Sequence, residues 1–279
     1  MQPGMVVSDE TFRNHLVWLK KRLEIIRLLS IRKYFQDNTL PACVITLDDG
    51  WVDNYQYAFP ILKELNSVAT IFLVSNMVDT MHYFWPEKLS LLLNNSLTTK
   101  LLMQKIEPMY NNEITAVETY DDIVEVLKSN SDQVIKNMLD DVEESMGGSI
   151  QKINKTRQIL SIDELVEMKD SKLIEYGSHT ANHIRLDKVS PAVVINELTQ
   201  SKEQLESKLQ IKITTFCYPN GSYTSDVVSE VEKIYDMACT TESGWSSQEN
   251  NMLKLNRVML HDDASNTQGL FWGRVLGFF

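Results

Sequence analysis

Two aspartates side by side at the end of an apolar run, and two histidines four residues apart, are the residues here whose types and spacing suit chemistry. Asp48 and Asp49 close the run Val44-Ile-Thr-Leu47 and are followed by Gly50. Neighbouring carboxylates repel, so one of them is normally neutralised by a proton or held by a cation. Taken alone, the stretch reads equally well as an Asp-Gly turn between strands. His179 and His183 frame the segment His-Thr-Ala-Asn-His. Imidazoles four apart can reach one ion from the same side of a helical turn, and two solvent-facing loop histidines fit the spacing as well. An aspartate from another strand end would complete two imidazoles and one carboxylate with open positions, the donor set of a catalytic zinc-like ion. That coincidence favours the metal.

The elements that must position these groups follow from periodicity. Apolar, β-branched runs predict strands at 44–47, 68–74, 173–178, 213–219, 236–240 and 255–260. Helical spacing begins at Ser8 and continues through Leu16, Leu19, Leu23 and Ile26. A second helix over 51–65 must accommodate Pro60 by a kink or a late start. Ser161 and Glu164 form a capping box at the start of a helix ending near Lys169. Pro191 occupies a permitted first-turn position of a helix whose apolar stripe includes Val194, Leu198, Leu205 and Leu209. Strand, helix and strand at this spacing make βαβ units and hence a parallel sheet. Asp48-Asp49, His179-His183, Pro219-Asn220-Gly221 and His261 all fall just past strand carboxyl ends. In an α/β sheet or barrel those ends share one face, where active sites are built. His15 and His82 lie elsewhere and read as surface or packing residues.

With 43% hydrophobic residues in 279, the chain can bury a full core and reads as one α/β domain over 1–279. The net charge of −11 argues against nucleic acid and anionic membranes as partners. Much of it lies in a helical insertion at about 84–150, where residues 101–150 carry eleven acids, Glu113 and Glu118 among them, against three lysines. Such a run is read as a solvated helical face, and Met146-Gly-Gly-Ser149 ends it. Cys43, Cys217 and Cys239 are too few and too odd in number for a disulfide framework and read as buried thiols. The first five residues lack the basic and apolar segments of a signal peptide, which points to a cytoplasmic location unless an upstream segment is missing. No run approaches the roughly 18 apolar residues of a membrane span, so no integral membrane segment is expected. Oligomeric state is left open.

Thr46-Leu-Asp-Asp-Gly50, Ser178-His-Thr-Ala-Asn-His183 and Phe216-Cys-Tyr-Pro-Asn-Gly221 together resemble the successive motifs of the polysaccharide deacetylases, the NodB-homology group of carbohydrate esterase family 4. The resemblance runs from about Ser8 to the C-terminus, apart from the acidic insertion. It implies a distorted (β/α) barrel of about seven parallel strands and metal-dependent removal of N-acetyl groups from a sugar or cell-surface polysaccharide. By motif match, Asp48 would be the catalytic base, and Asp49, His179 and His183 would hold one divalent ion, zinc first, cobalt or nickel as alternatives. The family often carries a Tyr-His pair on an upstream strand. None precedes Ser8, so the expectation is either that the sequence begins late or that the barrel is open at that edge.

The residues fit that mechanism on their own chemistry. A divalent ion lowers the pKa of a bound water to about 7, and an adjacent carboxylate can then take its proton. The tetrahedral oxyanion needs a backbone N–H, expected in the turn Tyr218, Pro219, Asn220, Gly221. An amide nitrogen leaves only when protonated, and His261 is the candidate acid, with Asp262 or Asp263 to hold its tautomer. Trp245 is a candidate wall for the acetyl methyl, or a core residue. The sequence departs from the family at Cys217, where many members have Arg, and at Asn220, where they have an aromatic residue; Arg257 is the candidate substitute for that Arg. The alternatives are a C–N hydrolase of a small non-sugar amide and a carbohydrate-binding homologue without catalysis.

Overall fold

The structure is a computed structural model that describes residues 6–37, 40–81, 84–109, 119–128, 130, 132–145 and 157–278. Residues 1–5, His82, Glu113, Glu118 and the 146–149 segment read above as the end of the insertion lie outside the described residues. The chain forms two compact units, one between Met81 and Arg157 and the other from the residues before and after it.

The larger unit begins with α1 (Asp9–Lys20), capped by the Ser8 hydroxyl, which accepts from the Thr11 N–H; Asp9 and Glu10 sit against the positive end of the helix dipole. The helix buries Thr11, His15, Leu16 and Leu19. It stops six residues earlier than the spacing predicted, and Glu24–Ile25 is instead strand β1. Leu23 and Ile26 satisfy a helical period and a strand equally, and pairing with β2 (Ala42–Cys43) decides for the strand. After α2 (Ile31–Asp37) and β2, the expected strand continues as β3 (Thr46–Leu47). Ile26 N–H donates to Cys43 O, and Thr70 N–H to Ile45 O, so this one run joins β1 on one side to β4 (Ala69–Leu73) on the other.

Pro60 lies inside a continuous helical stretch rather than at a late start: a π-helical turn over Asn54–Ala58 runs directly into α3 (Phe59–Glu64), and this local irregularity accommodates the proline. Among the described residues the other unit holds four α-helices, α4 (Trp85–Leu93), α5 (Ser96–Ile106), α6 (Tyr120–Lys128) and α7 (Asp132–Glu144). They bury Leu89, Leu92, Leu102, Ile106, Leu127 and Leu139 in a core of their own. Glu125 and Asp141 stay exposed in ion pairs with Lys128 and Lys105, as a solvated acidic face requires.

The larger unit resumes with α8 (Ile162–Asp170), started by the Ser161–Glu164 capping box, and β5 (Ile174–Ser178). Next come α9 (Pro191–Leu209), β6 (Thr215–Cys217), α10 (Ser225–Glu232), β7 (Met237–Cys239), α11 (Asp262–Ser265) and α12 (Gln268–Val275). The seven strands pair only in parallel, β1 with β2 and the others in the order β3-β4-β5-β6-β7, giving the distorted barrel wall expected of the sequence. The stretch 255–260 contributes one parallel bridge, Cys239 to Leu255, rather than a full strand. The Arg257 N–H then turns to Glu242 O. β4 is buried along its whole length, as a parallel strand covered on both faces must be.

Candidate active site

Asp48 and Asp49 leave the end of β3 in a turn that only glycine can complete. Gly50 has φ +75°, and a Cβ there would lie 2.7 Å from Leu73 Cδ2. The turn is closed by Gly50 N–H to Asp48 O and by Leu160 N–H to Gly50 O. It sends the two carboxylates in different directions.

Asp48 meets Arg257. The guanidinium donates from Nη1 to Oδ1 and from Nη2 to Oδ2, both at 2.8 Å, in the bidentate geometry of the strongest carboxylate pairs. Arg257 is itself aimed by Nε donating to Thr240 O at 2.7 Å. The Cys217 thiol points at Asp48 Oδ2 from 3.7 Å. Burial alone would raise the Asp48 pKa. Arg257, by charge and hydrogen bonds, and to a lesser degree His179 and Cys217 bring it down to about 2. The Arg that many relatives carry at position 217 is thus replaced, in its contact with the acid, by Arg257 from beyond β7.

That pair has a pH signature. Its folded-state pKa of about 2 lies below the ordinary 3.8, so the pair stabilises the fold above about pH 4 and ceases to as pH falls through about 2. Arg257→Met is expected to destabilise the metal-free protein by about 3 kcal/mol at neutral pH, because a carboxylate loses its partner. The difference from wild type should shrink below about pH 4, as denaturant titrations across that range would measure.

Asp49, at φ +70°, faces the histidines. Its Oδ1 lies 3.4 Å from His179 Nε2 and 3.3 Å from His183 Nε2, and its Oδ2 accepts from Trp51 Nε1 at 3.1 Å. His179 follows β5, and its Nδ1 lies 2.7 Å from Cys217 O. A carbonyl can only accept, so Nδ1 carries the proton and the neutral ring turns an Nε2 lone pair toward Asp49. Burial, then the neighbouring His183, lowers the His179 pKa and keeps the ring neutral. Lone pair therefore confronts carboxylate, and Asp49 Oδ1 is buried without a hydrogen-bond partner. A divalent cation fits this set: two imidazole nitrogens and one carboxylate oxygen converge, and an acceptor left unpaired by the protein is supplied with positive charge.

In the 218–221 turn most donors are already used. Tyr218 N–H pairs with Cys239 O, Pro219 has none, and Gly221 N–H pairs with Tyr218 O. Among the described residues this leaves the Asn220 N–H as the uncommitted donor of the turn. Asn220 has φ 55°, and Gly221 has φ +69° with Thr241 Oγ1 1.9 Å from where a Cβ would stand.

His261 occupies the N-cap position of α11 without a side-chain cap bond, its Nδ1 buried and 3.7 Å from Asp263 Oδ2, too far for a hydrogen bond. Asp262 does not hold it either: its Oδ1 accepts the Ser8 N–H. The loop is fastened instead by Ser265, whose hydroxyl donates to His261 O and whose carbonyl takes His15 Nε2 at 2.7 Å. His15 is thus a packing residue, buried and stacked on Phe271. No hydrogen bond or ion pair joins His261 to the Asp48–Asp49–His179–His183 group among the described residues. The Trp245 indole N–H donates to Val275 O, holding the ring against the end of α12 with about half of it exposed. The sequence reading missed Glu197, on α9, which binds the loop between the two histidines. Its signal was available: a glutamate inside the apolar stripe of an amphipathic helix.

The sequence profile of the family described as Polysaccharide deacetylase matches residues 36–235, more than half of the chain. YxkH of Bacillus subtilis (strain 168), itself named as a candidate polysaccharide deacetylase, is 23% identical over 227 residues, which cover 81% of this chain and 54% of YxkH. The chain thus spans about half the length of that relative. Among solved structures, the Streptococcus pyogenes deacetylase PplD in complex with acetate superposes with a TM-score of 0.61 at 20% identity, over 95% of this chain and 89% of that one. IcaB from Ammonifex degensii does so with a TM-score of 0.60 at 15% identity, over 96% and 90%. These structural likenesses establish the fold.

Proposed function

Because this chain belongs to the polysaccharide deacetylase family, we propose that it is a metal-dependent hydrolase that removes N-acetyl groups from an N-acetylated sugar or cell-surface polysaccharide. The observation that carries the reading is the orphaned Asp49 Oδ1 set between two imidazole nitrogens, with a second carboxylate beside it paired to Arg257. Asp49, His179 and His183 would hold the ion, zinc foremost, with cobalt or nickel as alternatives. Bound there, a divalent cation acidifies water and polarises the acetyl carbonyl.

The remaining work falls to side chains and one amide. Asp48 accepts the proton of the attacking water. A carboxylate held at about 2 is a weak base in isolation, and it serves only against water already made acidic. The new C–O bond forms as the carbonyl oxygen gains charge, and the Asn220 N–H is the donor to receive it. The C–N bond breaks as His261 gives its proton to the departing nitrogen, releasing acetate and a free amine. Arg257, by occupying both oxygens of Asp48, does what Cys217 cannot. The departure at position 217 is therefore no argument for a binding protein without catalysis.

The test is acetate and amine release from N-acetylated oligosaccharides, with and without a chelator. Release that stops on chelation and returns with a divalent ion is the expected result. A protein that binds a stoichiometric ion and releases no acetate from any of them overturns the deacetylase reading and leaves the metal site standing.

A further inference from the structure

The loop carrying both imidazoles is under strain and is held from a third element. Thr180 has φ +66°, a left-handed conformation that a β-branched residue adopts only where the surroundings compel it, and His183 follows at φ +57°. Between them, Ala181 N–H and Asn182 N–H both donate to Glu197 Oε2, at 3.0 and 2.9 Å, and Asn182 Nδ2 donates to Oε1 at 2.6 Å. Glu197 is only 4% exposed. Among the described residues no lysine or arginine pairs with it, so its charge is met by these three N–H groups. The same face of α9 braces the end of β5 and the loop after β4: Ser201 Oγ meets Ser178 Oγ at 2.7 Å, and Gln204 Oε1 lies 2.7 Å from Ser75 Oγ.

We propose that Glu197 is a positioning residue for the cation site: by drawing two consecutive amides onto one buried carboxylate, it sets the spacing and aim of His179 and His183. The inference rests on the metal reading of those histidines given above. A side chain outside the ligand set that orients the ligands changes metal affinity rather than the chemical step. Its carboxylate is specifically required. In Glu197→Gln, one end of the amide still accepts the backbone N–H groups, but its NH2 then faces Asn182 Nδ2, donor against donor. Asn182 could flip only by giving up its Oδ1 bond from Asn76 Nδ2, at 2.9 Å.

The experiment measures divalent zinc affinity by chelator competition for wild type, E197Q, E197A and N182A. It also measures hydrogen exchange at the Ala181 and Asn182 amides in the metal-free proteins. E197A is expected to bind zinc about 10- to 100-fold more weakly and E197Q less weakly than that, with both amides losing protection and excess zinc restoring turnover. If E197A does not fold, E197Q and N182A carry the same comparison, each with weakened zinc binding expected. A wild type that binds no ion overturns the functional reading and this inference with it. A wild type that binds zinc while the folded variants bind it equally well, or keep both amides protected, overturns the inference alone.

Discussion

Replacing Asp48 by asparagine is expected to lower kcat by about two to four orders of magnitude, the usual worth of a positioned general base, while the protein still binds its ion. The proposed ligand set of Asp49, His179 and His183 leaves Asp48 out, because both of its oxygens are turned to Arg257. Asparagine keeps the shape but presents an NH2 to one guanidinium nitrogen, so some loss of stability should accompany the loss of turnover. Acetate release and ion binding on the same preparation separate the two acids. If D48N loses its ion, the assignments of Asp48 and Asp49 are the wrong way round.

Asp49→Asn is expected to act in opposite directions on the metal-free and the zinc-supplied protein. Asp49 Oδ1 faces a His179 lone pair and finds no hydrogen bond. An asparagine can keep its oxygen on Trp51 Nε1 and turn its NH2 to the imidazoles, relieving that repulsion and satisfying the acceptor. The metal-free variant should therefore be more stable than metal-free wild type, by about 1 kcal/mol. An ion held by Asp49, His179 and His183, however, would lose its only anionic ligand. Wild type at an ion concentration about 100 times Kd should gain about 2.7 kcal/mol, and the variant almost nothing. Thermal melts with chelator and with added zinc read both effects. A metal-free D49N that melts below wild type would mean that the carboxylate is satisfied in a way the site geometry does not allow.

The residues that carry this chemistry differ in how visible they were beforehand. Asp48 and Asp49 stand out because an apolar strand ending in two acids is costly unless something compensates it. His179 and His183 stand out because rare residues recur at ligand spacing. The caps at Ser8 and Ser161 and the first-turn prolines are local signals, and the helices start where those signals say. β1 was hidden because Leu23 and Ile26 obey two periods at once, and only pairing with β2, 18 positions further along the chain, chooses between them. Arg257 was one candidate partner for Asp48. Its bidentate contact, across 209 positions, depends on Leu255 bridging to Cys239 and on Thr240 O fixing the guanidinium. Trp245 was a candidate wall for the acetyl methyl or a core residue, and the bond from its indole N–H to Val275 O was not legible in the sequence. The long-range geometry around His261 was equally invisible, since its turn is fastened by Ser265 and His15, 250 positions apart.

By itself the sequence determined which groups reach the barrel face: two adjacent acids, two imidazoles and a Pro-Asn-Gly turn, each delivered by the end of its own strand. Those facts are local, set by period, caps and turn residues. The tertiary structure decided what each group can do. It placed the proton of His179 on Nδ1 by setting Cys217 O beside it, left Asp49 Oδ1 without a partner, and gave both oxygens of Asp48 to Arg257. Charge, tautomer and hydrogen-bond satisfaction are fixed by contacts of a few ångströms between residues far apart in the chain, and no local pattern encodes those contacts.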